Sequence, residues 1–212
     1  QYVDGSTDGL RYASPFSAQE DPDAIYFQPQ TALLGWLWKI TGADPGVLFV
    51  LFGVVFGLLC VRSCLRLLEH VLPSNTSWRS LIAVLFLWGG GLLFLVGYGY
   101  GLIQGEGIRI GFLGGFRFDP AGGWWFLNLG RNLIYPLEAY YHFLFFTMVL
   151  ALLRKRFVLA TVVAALLALS HPFTGVAALL MILAWAALER WYFRSRELPR
   201  WFPLALAATL AL

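Results

Sequence analysis

The sequence predicts an all-α fold, a polytopic transmembrane helical bundle, and three observations carry that prediction. Hydrophobic residues make up 59% of the 212 positions and charged residues only 13%, against roughly 25% charged in a water-soluble domain. Apolar runs of spanning length recur along the chain, separated by short polar segments. Ten of the fifteen basic residues stand close to the ends of those runs, the asymmetry that orients helices in a bilayer. At ~20 residues per crossing there is room for roughly four or five spans plus loops. Residues 1–212 read as one transmembrane unit, with an outward acidic loop and an interfacial helix in 1–44 and transmembrane helices with their loops in 45–212. The sequence starts at Gln1 without a methionine and stops inside an apolar run. It is therefore expected to be a fragment of a longer chain.

Residues 1–30 are polar and turn-rich, with Asp4, Asp8, Glu20, Asp21 and Asp23 against a single Arg11. The stretch "TALLGWLWKITG" (31–42) is too short to span, and its tryptophans and lysine predict a helix lying at the membrane interface. Residues 45–68 predict a spanning helix with Pro45 at its first turn. Residues 80–103 predict a second, rich enough in glycine for close approach of neighbours. A second polar loop follows over 104–136, then a third span over 137–153.

Arg62, Arg66 and Arg79 bracket one loop, Arg154, Lys155 and Arg156 a second, and Arg190, Arg194, Arg196 and Arg200 a third. The positive-inside rule places these in the cytoplasm, so residues 1–30 and 104–136 face outward with most of the carboxylates. The sequon "NTS" (75–77) then falls on the cytoplasmic side. Residues 157–188 run without a charge and carry cytoplasmic charge at both ends, so they should enter and return on one side. Pro172 has no amide hydrogen and pushes His171 off helical dihedrals. The half before it covers only ~21 Å against a ~30 Å hydrocarbon core. The prediction is two closely packed helices turning outward at "SHPFTG". Backbone broken at that depth is tolerated where protein or a wet cavity satisfies it. Two readings of His171 stay open: it lines a polar cavity reached from outside, or it caps a neighbouring carbonyl at a kink.

Cys60 and Cys64, four residues apart on one helix face, read as packing residues, because no histidine or carboxylate pair stands ready to complete a metal site. The carboxylates of the first loop abut an apolar surface, where such groups can activate a hydroxyl or hold a divalent cation. His142, beside Tyr140 and Tyr141, is read as making a structural hydrogen bond. Trp124 and Trp125 fit an interfacial aromatic belt, with sugar stacking as the alternative. "GFLGGF" and "GYGYG" lack the Lys-Ser/Thr and strand–helix context of a phosphate loop, so no nucleotide cofactor is expected. The basic residues are scattered over short loops, which leaves nucleic-acid binding without support.

The order of features resembles that of polyprenyl-phosphate-sugar-dependent membrane glycosyltransferases, the C-type glycosyltransferase superfamily. An outward acidic loop, a short interfacial helix, spans joined by small basic loops and the split "HPFTG" segment carry the resemblance. Members typically hold an aspartate in the first outward loop, often as Asp-Glu-x-x-Tyr. Here "DGLRY" sets Asp8 four residues before Tyr12, with Gly9 where glutamate is common. "AIYFQPQTALLGWL" is similar to the aromatic-proline stretch that leads into the family's interfacial helix.

The resemblance implies a lipid-linked sugar donor, membrane lipids as surroundings and a bacterial inner membrane. An acceptor hydroxyl would attack the anomeric carbon while a carboxylate, Asp8 by preference and Asp23 next, takes its proton. Tyr12 would help bind substrate. Arg131 in "LNLGRNLIYP" is the leading candidate for the departing lipid phosphate, since guanidinium binds phosphate bidentately. Snorkelling to headgroups is its plainer reading. His171 is the second candidate; Arg109 and Arg117 are weaker. A transporter or flippase with a broken-helix site and a non-catalytic membrane scaffold are the rival readings.

Overall fold

A computed structural model describes residues 27–73, 77–107, 136–192 and 198–210. Those residues form seven helices and no strand: α1 (Pro29–Thr41), α2 (Pro45–Val71), α3 (Arg79–Ile103), α4 (Pro136–Leu153), α5 (Phe157–Ser170), α6 (Pro172–Trp191) and α7 (Trp201–Leu210). The expected elements are present at their expected places, each displaced by no more than a few residues. Proline opens α1, α2, α4 and α6, where its missing amide hydrogen costs nothing and its fixed φ suits the first turn. Asp44 caps α2 by accepting from the Val47 amide at 3.1 Å. Gly42 ends α1 at φ 63° and donates to the Trp38 carbonyl, the left-handed stop for which glycine pays no Cβ penalty.

This is a membrane protein. Among the described residues three helices, α2, α4 and α6, are long and apolar enough to cross a bilayer. Their outer faces are what a lipid solvent requires: Val50, Val54, Val55 and Leu58 of α2 are all more than half exposed. Left in water, a band of that kind would be an aggregation surface. The opposite stripe of α2, Leu48, Phe52, Cys60, Ser63 and Cys64, is buried at helical spacing.

Helix α4 is the centre of the bundle. Ala139, Tyr140, Leu144, Phe146, Met148 and Leu150 are buried around most of its circumference, because α2 lies on one side and α5 on the other. Contacts along α2 and α4 advance together. Gly53 lies against Pro136, where a Cβ would stand 2.8 Å from the ring; the Phe56 and Tyr140 rings meet edge-on at 4.8 Å; Ser63 and Thr147 hydroxyls pair at 3.3 Å. The two helices therefore run parallel, with α3 between them in sequence to bring the chain back. Cys60 and Cys64 are fully buried free thiols packed with Leu87 and Phe146, the packing role expected of them.

The 157–188 run is broken, as expected, but more sharply. One residue, His171 at φ −141° and ψ 86°, separates α5 from α6, rather than a six-residue turn. The two helices then pack on each other: a Cβ on Gly175 would fall on the backbone of Ala168, which no in-line kink could arrange for residues seven apart. Helix α7 closes the pair, with Phe202 and Leu206 fully buried and the Phe202 ring tilted against that of Phe157, the first residue of α5, at 4.9 Å.

Candidate functional site

Two of the buried polar side chains among the described residues, Gln30 and Ser170, meet where α5 breaks. Pro172 cannot donate, and the Thr174 amide donates to Nδ1 of His171 at 3.2 Å. The Ser170 carbonyl, which would accept from Thr174 in an unbroken helix, is thereby released. Gln30, from the first turn of α1, takes it: its Nε2 donates to that carbonyl at 3.4 Å, to the Tyr141 hydroxyl at 3.1 Å and to Gln28 Oε1 at 3.2 Å. Gln30 is fully buried, and Ser170 nearly so. Tyr141 meets the His171 ring edge-on at 4.9 Å. Ser170 Oγ donates to the Leu166 carbonyl at 2.6 Å.

Two consequences follow for His171. Its Nδ1 is an acceptor for a backbone amide, so the neutral ring carries its proton on Nε2 and presents that atom as a donor. It caps an amide at the start of α6, not a carbonyl, and its side chain is half-buried. The expected capping role is thus present in altered form, and the Nε2–H stays available to the reading in which His171 meets a ligand. Gln30 Oε1 is the complementary feature. It is buried without a hydrogen-bond partner among the described residues, an acceptor whose desolvation costs about 1–3 kcal/mol unless a donor reaches it. Beside the break, then, stand one donor and one acceptor.

His142 makes the structural bond expected of it, Nδ1 to the Glu138 carbonyl at 2.7 Å. Asp8, Tyr12, Asp23 and Arg131, with Arg109, Arg117, Trp124 and Trp125, lie outside the described residues. Among the described residues no three His, Cys, Asp or Glu side chains converge as a metal site would need.

Gln30 was not among the residues singled out from the sequence. The sequence carries only a weak signal for it, a polar residue four before Leu34, whose packing on the core the structure shows.

The basic ends of the helices collect at the opposite end of the bundle. Arg62 and Arg66 of α2 and Arg154 and Arg156 of the α4–α5 turn line one cleft. Lys155, Arg156 and Trp201 share a second, shallower hollow, and Arg79 pairs with Glu69 at 3.5 Å. Between that end and the His171 break lies most of the length of α4, from Tyr141 to Leu150. Searches against protein-family models, curated proteins and solved structures find no match for this chain.

Proposed function

We propose that this chain belongs to an integral, multi-pass membrane glycosyltransferase that moves a sugar from a lipid-phosphate donor to an acceptor at the outer face of a bacterial inner membrane. One observation supports the reading most directly. Gln30, at the described end of the acidic first loop, meets the His171–Pro172 break through the Ser170 carbonyl, at the end of the bundle away from the arginines. The chain that carries Asp8 and Asp23 thus enters the bundle beside the one broken segment among the described helices.

In this mechanism the acceptor oxygen attacks the anomeric carbon, and the bond from that carbon to the lipid phosphate breaks with its electron pair on the phosphate. Asp8, or Asp23 in its place, takes the acceptor's proton, an effect typically of order 10²–10⁴-fold. The leaving phosphate gains a negative charge, which Arg131 and the Nε2–H of His171 would stabilise. Tyr12 would help hold the substrate. The test is turnover by the full-length protein with lipid-linked sugar donors. Asp8→Asn and Asp23→Asn are expected to cut turnover by about 10²-fold or more in at least one case. Full activity in both would remove the proposal.

The single-residue break also suits a carrier, since discontinuous helices form substrate sites in transporters. Uptake of a sugar-linked lipid or solute into proteoliposomes, without any transfer product, would favour that second reading.

A further inference from the structure

We propose that the cleft between α2, α4 and α5 at the arginine end is a binding site for the phosphate headgroup of an anionic lipid. Arg62 and Arg66 stand one turn apart on α2, and Arg154 and Arg156 flank the α4–α5 turn, so four exposed arginines line one cleft of about 320 Å³. No carboxylate lines it. Neither the Arg79–Glu69 ion pair nor the His142–Glu138 contact involves any of the four. Like charges gathered round one hollow repel one another by an amount that grows as water leaves. An anion in the hollow reverses the sign.

Guanidinium is the side chain suited to that anion, because its fork matches phosphate oxygens two at a time. Deeper in the cleft, Ser63 and Thr147 face each other across α2 and α4 with their hydroxyls 3.3 Å apart. Either hydroxyl can be the donor of that bond, which leaves the other with a hydrogen to offer a phosphate oxygen. The volume admits a headgroup and not a whole lipid.

The remaining walls point to a lipid rather than a soluble phosphate. Leu59, Phe143 and Leu159 line the same cleft, and their sequence neighbours Leu58 and Val158 are apolar and about two-thirds exposed. Acyl chains lying on these side chains would bring a headgroup to the arginines. Snorkelling alone sends each arginine separately to the bilayer surface; it does not line one interhelical cavity with four of them. Basic hollows between helices are a recognised seat for anionic headgroups. The inference is independent of glycosyl transfer, which is placed at the other end of the bundle.

The test uses the full-length protein in nanodiscs of phosphatidylcholine with or without phosphatidylglycerol, with co-purifying lipid counted by native mass spectrometry. Wild-type protein is expected to retain phosphatidylglycerol over phosphatidylcholine. Arg62→Ala and Arg154→Ala are each expected to lower that retention by about tenfold. Arg190→Ala, an exposed residue outside the cleft, removes the same charge and is expected to change it by less than about twofold. Arg62→Lys keeps the charge and the fold while losing the fork, and should fall between. Equal losses from Arg62→Ala and Arg190→Ala would reduce the effect to diffuse attraction and overturn the site. Release of bound phosphatidylglycerol by millimolar inorganic phosphate would overturn the lipid assignment.

Discussion

The side-chain amide of Gln30 hydrogen-bonds the backbone carbonyl of Ser170 across 140 positions of sequence. The bond exists because of a proline two residues further on. Pro172 starts α6 afresh, His171 takes the Thr174 amide, and the last turn of α5 keeps carbonyls with no helical partner. In a bilayer no water replaces such a partner, so another helix must supply the donor. Helix α1 does so from its first turn, and this fixes where the first loop joins the bundle.

Replacing Gln30 by leucine keeps the volume and removes the donor. The Ser170 carbonyl and the Tyr141 hydroxyl then lose their donor, at a cost of about 1–3 kcal/mol for the buried carbonyl, partly offset because the unpartnered Gln30 Oε1 is removed as well. Gln30→Glu should be worse, because it buries a charge in place of an amide. Thermal unfolding in detergent micelles checks both, with Gln30→Leu above Gln30→Glu and both below wild type.

His171 has two separable jobs. Asparagine can cap the Thr174 amide through its side-chain oxygen but has no imidazole Nε2–H to offer. His171→Ala should lose about 1 kcal/mol of stability with the cap. His171→Asn should recover most of that stability without recovering turnover. If asparagine restores activity together with stability, the histidine is a cap and nothing more.

Gly175 permits the tight reversal of α5 on α6. A methyl there would meet the main chain of Ala168, which cannot swing aside as a side-chain tip does. Gly175→Ala is expected to cost about 3 kcal/mol or more, at the upper end of overpacking effects. Adding Ala168→Gly removes one of the three clashing atoms and should not rescue it, since the nearer Cα and amide nitrogen stay in the way. A full rescue would mean that only the two side chains are in conflict.

The helices were legible in the sequence because apolar runs and their prolines are local signals. Pro45 and Pro172 mark their helix starts directly, and the charge-free 157–188 run with arginines at both ends foretells a return. The packing was not legible in the same way. Nothing in "FQPQTALL" says that Gln30 meets Ser170, because the need for that donor arises 140 residues later, from the break. The arginines gave sidedness, a property of each loop taken alone. Their convergence on one cleft depends on α2 and α4 running parallel, and that register is set by contacts such as Gly53 on Pro136 and Ser63 on Thr147.

The turn between α4 and α5 holds two of those arginines in place through one unusual residue. The Arg156 amide bonds the Ala151 carbonyl at 2.8 Å and the Lys155 amide bonds Leu152 at 2.9 Å, the paired closure of a Schellman stop. Lys155 sits in its left-handed position at φ 57°, where a Cβ costs roughly 1–2 kcal/mol and glycine is the usual occupant. Glycine loses some of that advantage through the extra freedom of the unfolded chain. Lys155→Gly should therefore leave stability equal to wild type or up to about 1 kcal/mol higher. Lys155→Val should lower it, because β-branched residues tolerate positive φ worst. Melting curves of the two variants rank them. Equal melting temperatures for glycine and valine would show that the turn does not hold position 155 in the left-handed region.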